Sequence, residues 1–270
     1  MTQGLPEWHI AREPYYRPVG DELAQFRQAH ARRLPLLLKG PSGSGKTRFV
    51  EHMAWALDRP LITVVCHEDM TASDLLGRYL LDAQGTVWHD GPLTLAARHG
   101  AICYLDELIE ARPDALVALH PLADTRRALP LERKGELLQA HPNFQLVASY
   151  NPGLNRALQP ATRQRFVALA LAPPNAEAQA EIVVQESGVT PAMAARLVAI
   201  ARGACRSRDS QDSQDHADAA VSTRMLVHAG QLMREGAAAR VACDMALTQA
   251  LDDDPEIAQA VRDLVEAHFT

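Results

Sequence analysis

Five short runs of consecutive apolar residues alternate with helical patterns in the N-terminal part of the chain. Runs of this kind predict strands that are buried on both faces, as in a parallel sheet covered by helices. The helical patterns at Arg48 to Leu57 and Pro113 to Ala123 supply that cover. We therefore predict an α/β domain with a parallel five-stranded sheet, which binds ligands at the carboxyl ends of its strands. The predicted strands are Leu34 to Leu38, Leu61 to Cys66, Ala101 to Leu105, Phe144 to Tyr150 and Phe166 to Leu171.

The pattern changes at Pro173-Pro174, after which the apolar positions have helical spacing. This change predicts an α/β domain over residues 1–172 and a small all-α domain over residues 173–270. Residues 206–216 carry no apolar side chain, so we expect a mobile loop between two helices there. A regulatory role for that loop is the alternative. The predicted helices are Glu177 to Glu186, Pro191 to Arg202, Thr223 to Arg234, Ala237 to Leu251 and Glu256 to His268.

Composition limits the function classes that fit the chain. Its 270 residues are 47% apolar and carry a net charge of −6, so broad attraction to nucleic acid or to an anionic membrane is not expected. The chain has no long apolar run and its N-terminus is polar, which predicts a cytoplasmic protein without a membrane segment. The four cysteines lack Cys-x-x-Cys spacing. We interpret them as small core residues rather than as a zinc site or disulfides.

A glycine-rich segment follows the first predicted strand and reads Gly-Pro-Ser-Gly-Ser-Gly-Lys-Thr. It fits the phosphate-binding loop Gly-x4-Gly-Lys-[Ser/Thr], in which backbone N–H groups surround phosphate oxygens. Lys46 would reach the β- and γ-phosphates and Thr47 would offer its hydroxyl to Mg²⁺. A plain Gly/Ser turn is the alternative, but so specific a motif rarely arises by chance. The segment predicts ATP and Mg²⁺ as ligands, bound by Gly40, Pro41, Ser42, Gly43, Ser44, Gly45, Lys46 and Thr47.

Two adjacent carboxylates, Asp106 and Glu107, follow the third predicted strand. At the end of a strand such a pair can divide its tasks. Asp106 would hold Mg²⁺, directly or through water, and Glu107 would orient and polarise the attacking water. A simple strand-terminal turn is the alternative. Together with the phosphate loop, the pair indicates a Walker B motif.

The fourth predicted strand leads to Asn151, which precedes a proline. If strands one, three and four are neighbours, this amide lies beside the γ-phosphate and positions the water together with Glu107. An Asn-Pro turn without catalytic meaning is the alternative.

Two arginines, Arg163 and Arg165, stand just before the last predicted strand. Residues two positions apart diverge on a helix, so we expect them to have different partners. One or both would face the γ-phosphate of a neighbouring subunit as an arginine finger, which stabilises the transition state of phosphoryl transfer. A surface ion pair is the alternative.

Together these motifs resemble the AAA+ ATPases, and the first 170 residues resemble their MoxR branch. Five segments are more specific and resemble the CbbQ/NirQ/NorQ group, CbbQ most of all. The group tends to have a serine where this chain has Ala161, a departure that leaves both arginines in place. The five segments are Asp74 to Leu80, Val87 to Pro92, Ile102 to Glu107, His120 to Leu122 and Pro160 to Val167.

The resemblance implies an AAA+ P-loop NTPase fold with a C-terminal helical lid. It also implies a homo-oligomeric ring, usually a hexamer, that works with an adaptor carrying a von Willebrand factor A (VWA) domain, as CbbO does, and remodels Rubisco or a metalloenzyme. With CbbQ the client is Rubisco, from which inhibitory sugar phosphates are released. Activation of a denitrification metalloenzyme, as by NirQ or NorQ, is the alternative.

The resemblance also implies a role for Arg224, which opens a predicted lid helix in the sequence Ser-Thr-Arg. This position corresponds to the sensor-2 arginine, which contacts the γ-phosphate from within the same subunit. An N-capped helix with a surface arginine is the alternative.

Two further segments correspond to family elements. Arg78 to Asp90 matches an insert in the second helix, where Tyr79 and Trp88 would face the central pore or the partner, or else pack in the core. Arg126 to Glu136 matches a hairpin before the fourth strand. The mixed charges of that hairpin indicate a solvated surface rather than a nucleic-acid site.

Two other function classes compete with the remodelling ATPase. A P-loop small-molecule kinase would need an acceptor site and a closing lid, whereas the Asp106-Glu107 pair and the paired arginines favour an ATPase. A nucleic-acid motor is disfavoured by the acidic charge balance.

Overall fold

The computed structural model describes residues 5–82, 85–151, 158–209, 221–251 and 253–269. The chain divides into two compact units. The first comprises Met1–Pro14, Gly20–Gly40 and Lys46–Leu171, and the second comprises Tyr15–Val19, Pro41–Gly45 and Ala172–Thr270. The sequence prediction assigned residues 15–19 and 41–45 to the α/β domain. Both are loop segments, so their position along the chain does not reveal which residues surround them.

A five-stranded parallel sheet forms the centre of the first unit, as predicted, with the order β2-β5-β8-β1-β9. Each predicted strand overlaps one observed strand. The central strands β5 and β8 are buried along nearly their whole length on both faces, and for this reason they consist of almost continuous apolar residues. The strands of this sheet are β1 (Leu36–Lys39), β2 (Leu61–Val65), β5 (Ile102–Asp106), β8 (Gln145–Tyr150) and β9 (Val167–Ala170). The helices of the unit are α1 (Glu22–Ala31), α2 (Lys46–Ala56), α3 (Ala72–Leu76), α4 (Pro92–His99), α5 (Pro113–Ala123) and α6 (Pro160–Arg163).

Two antiparallel hairpins belong to the same unit. The first joins β3 (Gly77–Asp82) to β4 (Gly85–Asp90), and the second joins β6 (Ala128–Leu131) to β7 (Glu136–Gln139). The second hairpin confirms the one expected before the fourth strand of the sheet.

The base of the first hairpin requires glycine. Gly77 has φ = +123°, and a Cβ there would lie 2.3 Å from the carbonyl oxygen of His89. A Cβ at Gly91 would lie 2.4 Å from the carbonyl oxygen of Leu75. The hairpin therefore leaves the core through two positions that have no room for a side chain.

The two hairpin aromatics have different environments. Trp88 is partly buried against the core, and its indole N–H donates to Asp90 Oδ1 at 2.7 Å. Tyr79 packs edge-on against Trp88 with ring centroids 5.2 Å apart, yet remains 47% exposed. Core packing thus describes Trp88. A role in the pore or toward a partner stays a prediction for Tyr79.

The second unit is helical and has its own apolar core, which includes Val183, Leu197, Ile200, Leu226 and Val261. The helix predicted over Ala237 to Leu251 is instead α10 followed by a π-helical turn and a 3₁₀ turn. Among the described residues, no helix is long and apolar enough to cross a membrane. The helices are α7 (Ala176–Ser187), α8 (Pro191–Asp209), α9 (Thr223–Arg234), α10 (Ala239–Cys243) and α11 (Pro255–His268).

The prediction that a loop begins at residue 206 is wrong. Helix α8 continues to Asp209 instead of ending at Arg202. Between Arg202 and Asp209 there is no proline, and no glycine occurs from Ala204 to Asp209, so each further residue can add one backbone hydrogen bond to the existing helix. Residues 210–216 of the expected loop lie outside the described part of the chain.

Candidate active site

The phosphate loop connects β1 to α2, which begins at Lys46. Gly43 and Gly45 have φ values of +75° and +86°, a conformation that favours glycine. Lys46 Nζ donates a hydrogen bond to the carbonyl oxygen of Gly40 at 2.8 Å, so its ammonium group lies beside the residue that follows β1. The hydroxyl of Ser44 is buried and has no hydrogen-bond partner among the described residues. Because the loop leads into the N-terminus of an 11-residue helix, it suits an anionic ligand such as phosphate.

Three hydroxyl groups converge on the carboxylate of Asp106, at the end of β5. Thr47 Oγ1 donates to Asp106 Oδ2 at 3.2 Å, while Tyr104 and Ser149 donate to Asp106 Oδ1 at 2.7 and 2.6 Å. Burial, together with the nearby Asp106 charge, raises the pKa of Tyr104, so its hydroxyl remains a proton donor. The Thr47 hydroxyl and the Asp106 carboxylate are oxygen ligands of the kind Mg²⁺ prefers, and their closeness fits that ion.

Glu107 occupies an uncommon backbone conformation for a residue with a side chain. Its φ and ψ are 56° and 48°, in the left-handed region. The Glu107 N–H donates to Ser149 Oγ at 2.8 Å. The chain therefore turns sharply between the two carboxylates, and they do not continue the alternation of the strand.

Sequence reasoning did not identify Tyr104 or Ser149 as part of this cluster. Tyr104 stands two positions before Asp106 on β5, so both side chains lie on one face. Ser149 lies opposite Leu38 of β1, and its strand β8 also pairs with β5. Only that strand register brings Ser149 to Asp106. A small polar residue inside an apolar strand was the one available signal.

Asn151 follows β8 directly and is partly buried. The condition attached to its predicted role is met, because β8 lies between β1 and β5 in the sheet. The carboxyl end of β8 therefore lies at the same edge of the sheet as the end of β1, which precedes the phosphate loop, and as Asp106. Contact between Asn151 and a γ-phosphate stays a prediction.

The two arginines before β9 have different environments. Arg165 Nε forms an ion pair with Asp124 Oδ1 at 2.9 Å, which corresponds to the surface ion pair considered as an alternative. Arg163 is exposed, and its side chain forms no hydrogen bond or ion pair with any described residue. Only Arg163 belongs to α6, which ends there. The two environments therefore differ, and the end of the helix contributes to this as well as the spacing of the arginines; a partner for Arg163 stays a prediction.

The His-Pro-Leu segment of α5 contacts the same region. His120 Nε2 lies 3.0 Å from Thr162 Oγ1, one residue before Arg163. Burial lowers the pKa of His120 and the positive charge of Arg165 lowers it further, so the neutral imidazole is favoured. The segment His120 to Leu122, one of the five that carry the family resemblance, thus contacts the helix that ends at Arg163.

Arg224 is the second residue of α9 and is exposed. The Ser222 hydroxyl accepts a hydrogen bond from the Met225 N–H at 3.4 Å and caps the helix. With the residues that the structure describes, the Arg224 side chain forms no hydrogen bond or ion pair. An N-capped helix with a surface arginine describes this arrangement, and contact with a γ-phosphate stays a prediction.

The second unit contains a cavity of about 320 Å³, within the size range of small-molecule sites. Pro41, Ser42 and Gly43 of the phosphate loop line it together with Ser222 and Thr223 at the start of α9. A Cβ on Gly43 would approach the Ser222 Cβ to 3.1 Å, so the loop passes closely beside the helix cap.

The cysteines largely match the prediction that they are core residues. Cys66, Cys103 and Cys243 are buried, whereas Cys205 is partly exposed and lines the cavity. Burial raises the pKa of Cys66 to about 12, and the charges of Asp106 and Glu107 add to this shift. No cluster of three or more metal-binding side chains occurs in the described part of the chain.

Two family models match the chain. Residues 35–166 match the AAA domain of the dynein-related subfamily, and residues 179–268 match the CbbQ/NirQ/NorQ C-terminal model. The chain is 52% identical to protein CbbQ of Hydrogenophilus thermoluteolus over 266 residues, which cover 97% of this chain and 98% of that protein. The chain belongs to the CbbQ/NirQ/NorQ family of AAA+ ATPases.

Other members of the CbbQ/NirQ/NorQ family are about equally similar. The denitrification regulatory protein NirQ of Pseudomonas aeruginosa is 51% identical over 94% of this chain and 97% of its own length. Protein NorQ of Paracoccus denitrificans is 51% identical over 95% of this chain and 94% of its own length. The fold also resembles Thermotoga maritima RuvB, with a TM-score of 0.53 at 14% identity over 90% of this chain and 68% of that one.

Membership of this family makes the chain an ATP-hydrolysing enzyme of the MoxR type, and the small-molecule kinase alternative is set aside. AAA+ ATPases are typically oligomeric. Because CbbQ, NirQ and NorQ are nearly equally similar to the chain, identity alone does not select a client.

Proposed function

We propose that the chain is a remodelling motor whose ATP site combines residues of one subunit with an arginine of the next. The observation that carries this proposal is the cluster around Asp106, where Thr47 of the phosphate-loop helix and the carboxylate lie 3.2 Å apart. Lys46 and the loop N–H groups would bind the β- and γ-phosphates, and Asn151 would lie beside the γ-phosphate.

Each remaining residue has a separate task. Thr47 and Asp106 would hold Mg²⁺, which when bound neutralises charge on the phosphates. Glu107 accepts a hydrogen bond from the attacking water and aligns it with the γ-phosphate. Arg224 would contact the same phosphate from within the same subunit.

The arginines supply the part of the site that one subunit lacks. Arg163 is exposed and has no partner among the described residues, while Arg165 is already paired with Asp124. An arginine finger stabilises the negative charge that spreads over the γ-phosphoryl oxygens in the transition state. We expect its loss to slow turnover by about 10³ to 10⁵-fold, or roughly 4–7 kcal/mol.

Mixed rings test this composite site. Lys46→Ala subunits lack the charge that binds phosphate, and Arg163→Ala or Arg165→Ala subunits lack the finger, so each is expected to be inactive alone. Mixing them should restore phosphate release, because an intact phosphate loop can then meet an intact arginine. The arginine whose variant is rescued is the finger. Arg262→Ala, an exposed substitution on α11, should retain full activity without mixing.

Mixed rings that recover no activity would contradict the composite site. If native mass spectrometry shows mixed rings and neither arginine variant recovers activity, both arginines act within their own subunit or only structurally. The composite site would then be wrong, while ATP hydrolysis itself would stand.

For the client we propose Rubisco, reached through a CbbO-like adaptor with a VWA domain and driven by a hexameric ring. CbbQ, at 52% identity over 97% of the chain, and the five CbbQ-like segments between Asp74 and Val167 support this choice. Hydrolysis would open a closed active site that otherwise releases its sugar phosphate slowly. A denitrification metalloenzyme is the second candidate, supported by NirQ and NorQ at 51% identity.

Carboxylation by inhibited Rubisco should recover after addition of the chain, its adaptor and ATP. A Glu107→Gln ring, which binds ATP without turnover, should give no recovery. Absence of recovery with cognate Rubisco and adaptor, but activation of nitric oxide reductase under the same conditions, would replace Rubisco by the second candidate.

A further inference from the structure

The Ser149 hydroxyl connects the two carboxylate residues at the end of β5. It donates to Asp106 Oδ1 at 2.6 Å and accepts the Glu107 N–H at 2.8 Å. Ser149 is completely buried on β8, so water does not compete for either bond. Ser149, which lies outside the Walker B motif, therefore contacts both Asp106 and Glu107.

The direction of both hydrogen bonds follows from the chemistry of the groups. An ionised carboxylate only accepts hydrogen bonds, and a backbone N–H only donates. The single proton of Ser149 must therefore point to Asp106, and its lone pair must face Glu107. No other orientation of the hydroxyl satisfies both neighbours.

The hydrogen bond from the Glu107 N–H to Ser149 Oγ stabilises an unfavourable backbone conformation at Glu107. Glu107 has a φ of 56°, and a left-handed residue with a side chain persists only where its surroundings fix it. This backbone turn determines the direction in which the Glu107 side chain leaves the strand. A weaker hold on the turn would allow the carboxylate to point in several directions.

We infer that Ser149 is a positioning residue that fixes the direction of the Glu107 carboxylate relative to Asp106. The inference rests on the proposed role of Glu107 in aligning water. It adds a residue to which neither the Walker motifs nor the family resemblance gives a role. Ser149 acts through Glu107 and contacts no reacting atom itself.

Tyr104 provides a matched control within the same cluster. Its hydroxyl donates to the same oxygen, Asp106 Oδ1, at 2.7 Å, and no hydrogen bond joins it to Glu107. Tyr104→Phe removes one bond to Asp106 and leaves the Glu107 turn in place. Ser149→Ala removes one bond to Asp106 and also the acceptor for the Glu107 N–H.

The test measures hydrogen exchange of the Glu107 amide in the nucleotide-free full-length chain, and then kcat and KM for ATP. In Ser149→Ala we expect Glu107 exchange to accelerate, and kcat to fall by about 10- to 100-fold, as when residues supporting a catalytic group are lost. KM should change little, because the phosphate loop is intact. Tyr104→Phe should leave the exchange unchanged and should lower kcat far less. Ser149→Thr keeps the hydroxyl and should therefore retain slow Glu107 exchange and most of the natural kcat.

Equal behaviour of Ser149→Ala and Tyr104→Phe in exchange and in kcat would overturn the inference. If Ser149→Thr does not fold, the contrast between the alanine and phenylalanine variants still decides the question. Glu107→Gln distinguishes failure of the proposed role of Glu107 from failure of the inferred role of Ser149. Retained turnover in that variant removes the proposed role of Glu107, whereas lost turnover with an unaffected Ser149→Ala removes only the role of Ser149.

Discussion

Strands β3 and β5 have similar sequences but different environments. β3 reads Gly-Arg-Tyr-Leu-Leu-Asp and β5 reads Ile-Cys-Tyr-Leu-Asp. In β5, Tyr104 and Leu105 are 0% exposed, whereas in β3, Tyr79 and Leu81 are 47% and 84% exposed. β5 pairs with a strand on each side, while β3 pairs with β4 alone among the described residues. Apolar composition alone therefore does not determine which strand is buried, because Cys103 and Leu105 of β5 belong to the core of the first unit whereas Tyr79 and Leu81 of β3 are exposed.

The difference extends to the polar group at the end of each tyrosine. The buried Tyr104 hydroxyl must find a partner and donates to Asp106. The exposed Tyr79 can use solvent. A buried strand therefore fixes the groups at its end, which suits catalysis, whereas the hairpin leaves apolar side chains available at its tip. Substitutions in the two strands should have correspondingly different effects.

Glu107→Gln should have the largest effect on turnover. The glutamine keeps the size of the side chain but does not polarise water, so ATP hydrolysis should fall by about 10² to 10⁴-fold. Nucleotide binding should persist, because the phosphate loop and Asp106 are unchanged. Nucleotide titration together with steady-state phosphate release checks both points. Leu81→Ser on the hairpin is the control and should leave intrinsic hydrolysis unchanged. Equal loss in both variants would contradict the contrast between the strands.

Leucine-to-alanine substitutions compare the packing of the two strands. Leu105→Ala should reduce the free energy of unfolding by about 2–5 kcal/mol, because it opens a cavity in a filled core. Leu81→Ala should change it by less than about 0.5 kcal/mol, as is usual for exposed positions. Urea denaturation of both variants measures the difference. A large loss for Leu81→Ala would mean that the hairpin tip is covered, for instance by another subunit.

The smallest effect is expected at Arg98, whose side chain forms ion pairs with both hairpins. Arg98 on α4 forms ion pairs with Asp90 of the first hairpin at 2.8 Å and with Glu136 of the second at 2.7 Å. Arg98→Met should therefore accelerate hydrogen exchange in β4 and β7, while exchange in β5 stays unchanged. Glu136→Gln should affect β7 more than β4. Unchanged exchange in both hairpins would show that these ion pairs do not hold them.

The same ion pairs predict a dependence on pH. Hydrogen bonds from Arg98 and then Lys134 lower the pKa of Glu136 from its usual 4.5 to about 2. A depressed carboxyl pKa contributes stability above the unfolded value, and that stability is lost as the pH falls toward 2. The difference in melting temperature between the natural chain and Arg98→Met should thus shrink between pH 4.5 and 2. A difference that stays constant would assign the effect of Arg98 to packing alone.

The sequence predicted elements that depend on local pattern. Apolar runs located the five strands of the sheet, and the phosphate loop and the Asp106-Glu107 pair were recognisable because their residues are adjacent. Contacts over long separations were not predictable. Ser149 reaches Asp106 through strand register, and Arg165 meets Asp124, 41 positions away. The continuation of α8 to Asp209 was missed because polar composition alone does not end a helix.

The glycines at the base of the first hairpin have a consequence for how this family can diversify. Gly77 and Gly91 have no space for a side chain, whereas Leu81, near the tip, is 84% exposed. Mutation is thus strongly restricted where the hairpin leaves the core and less restricted at exposed positions toward its far end, apart from Gly85, whose φ of +121° favours glycine. We expect related chains to retain both base glycines while their tips diverge. A tip transplanted from a relative should therefore be accepted without redesign of the domain that carries it.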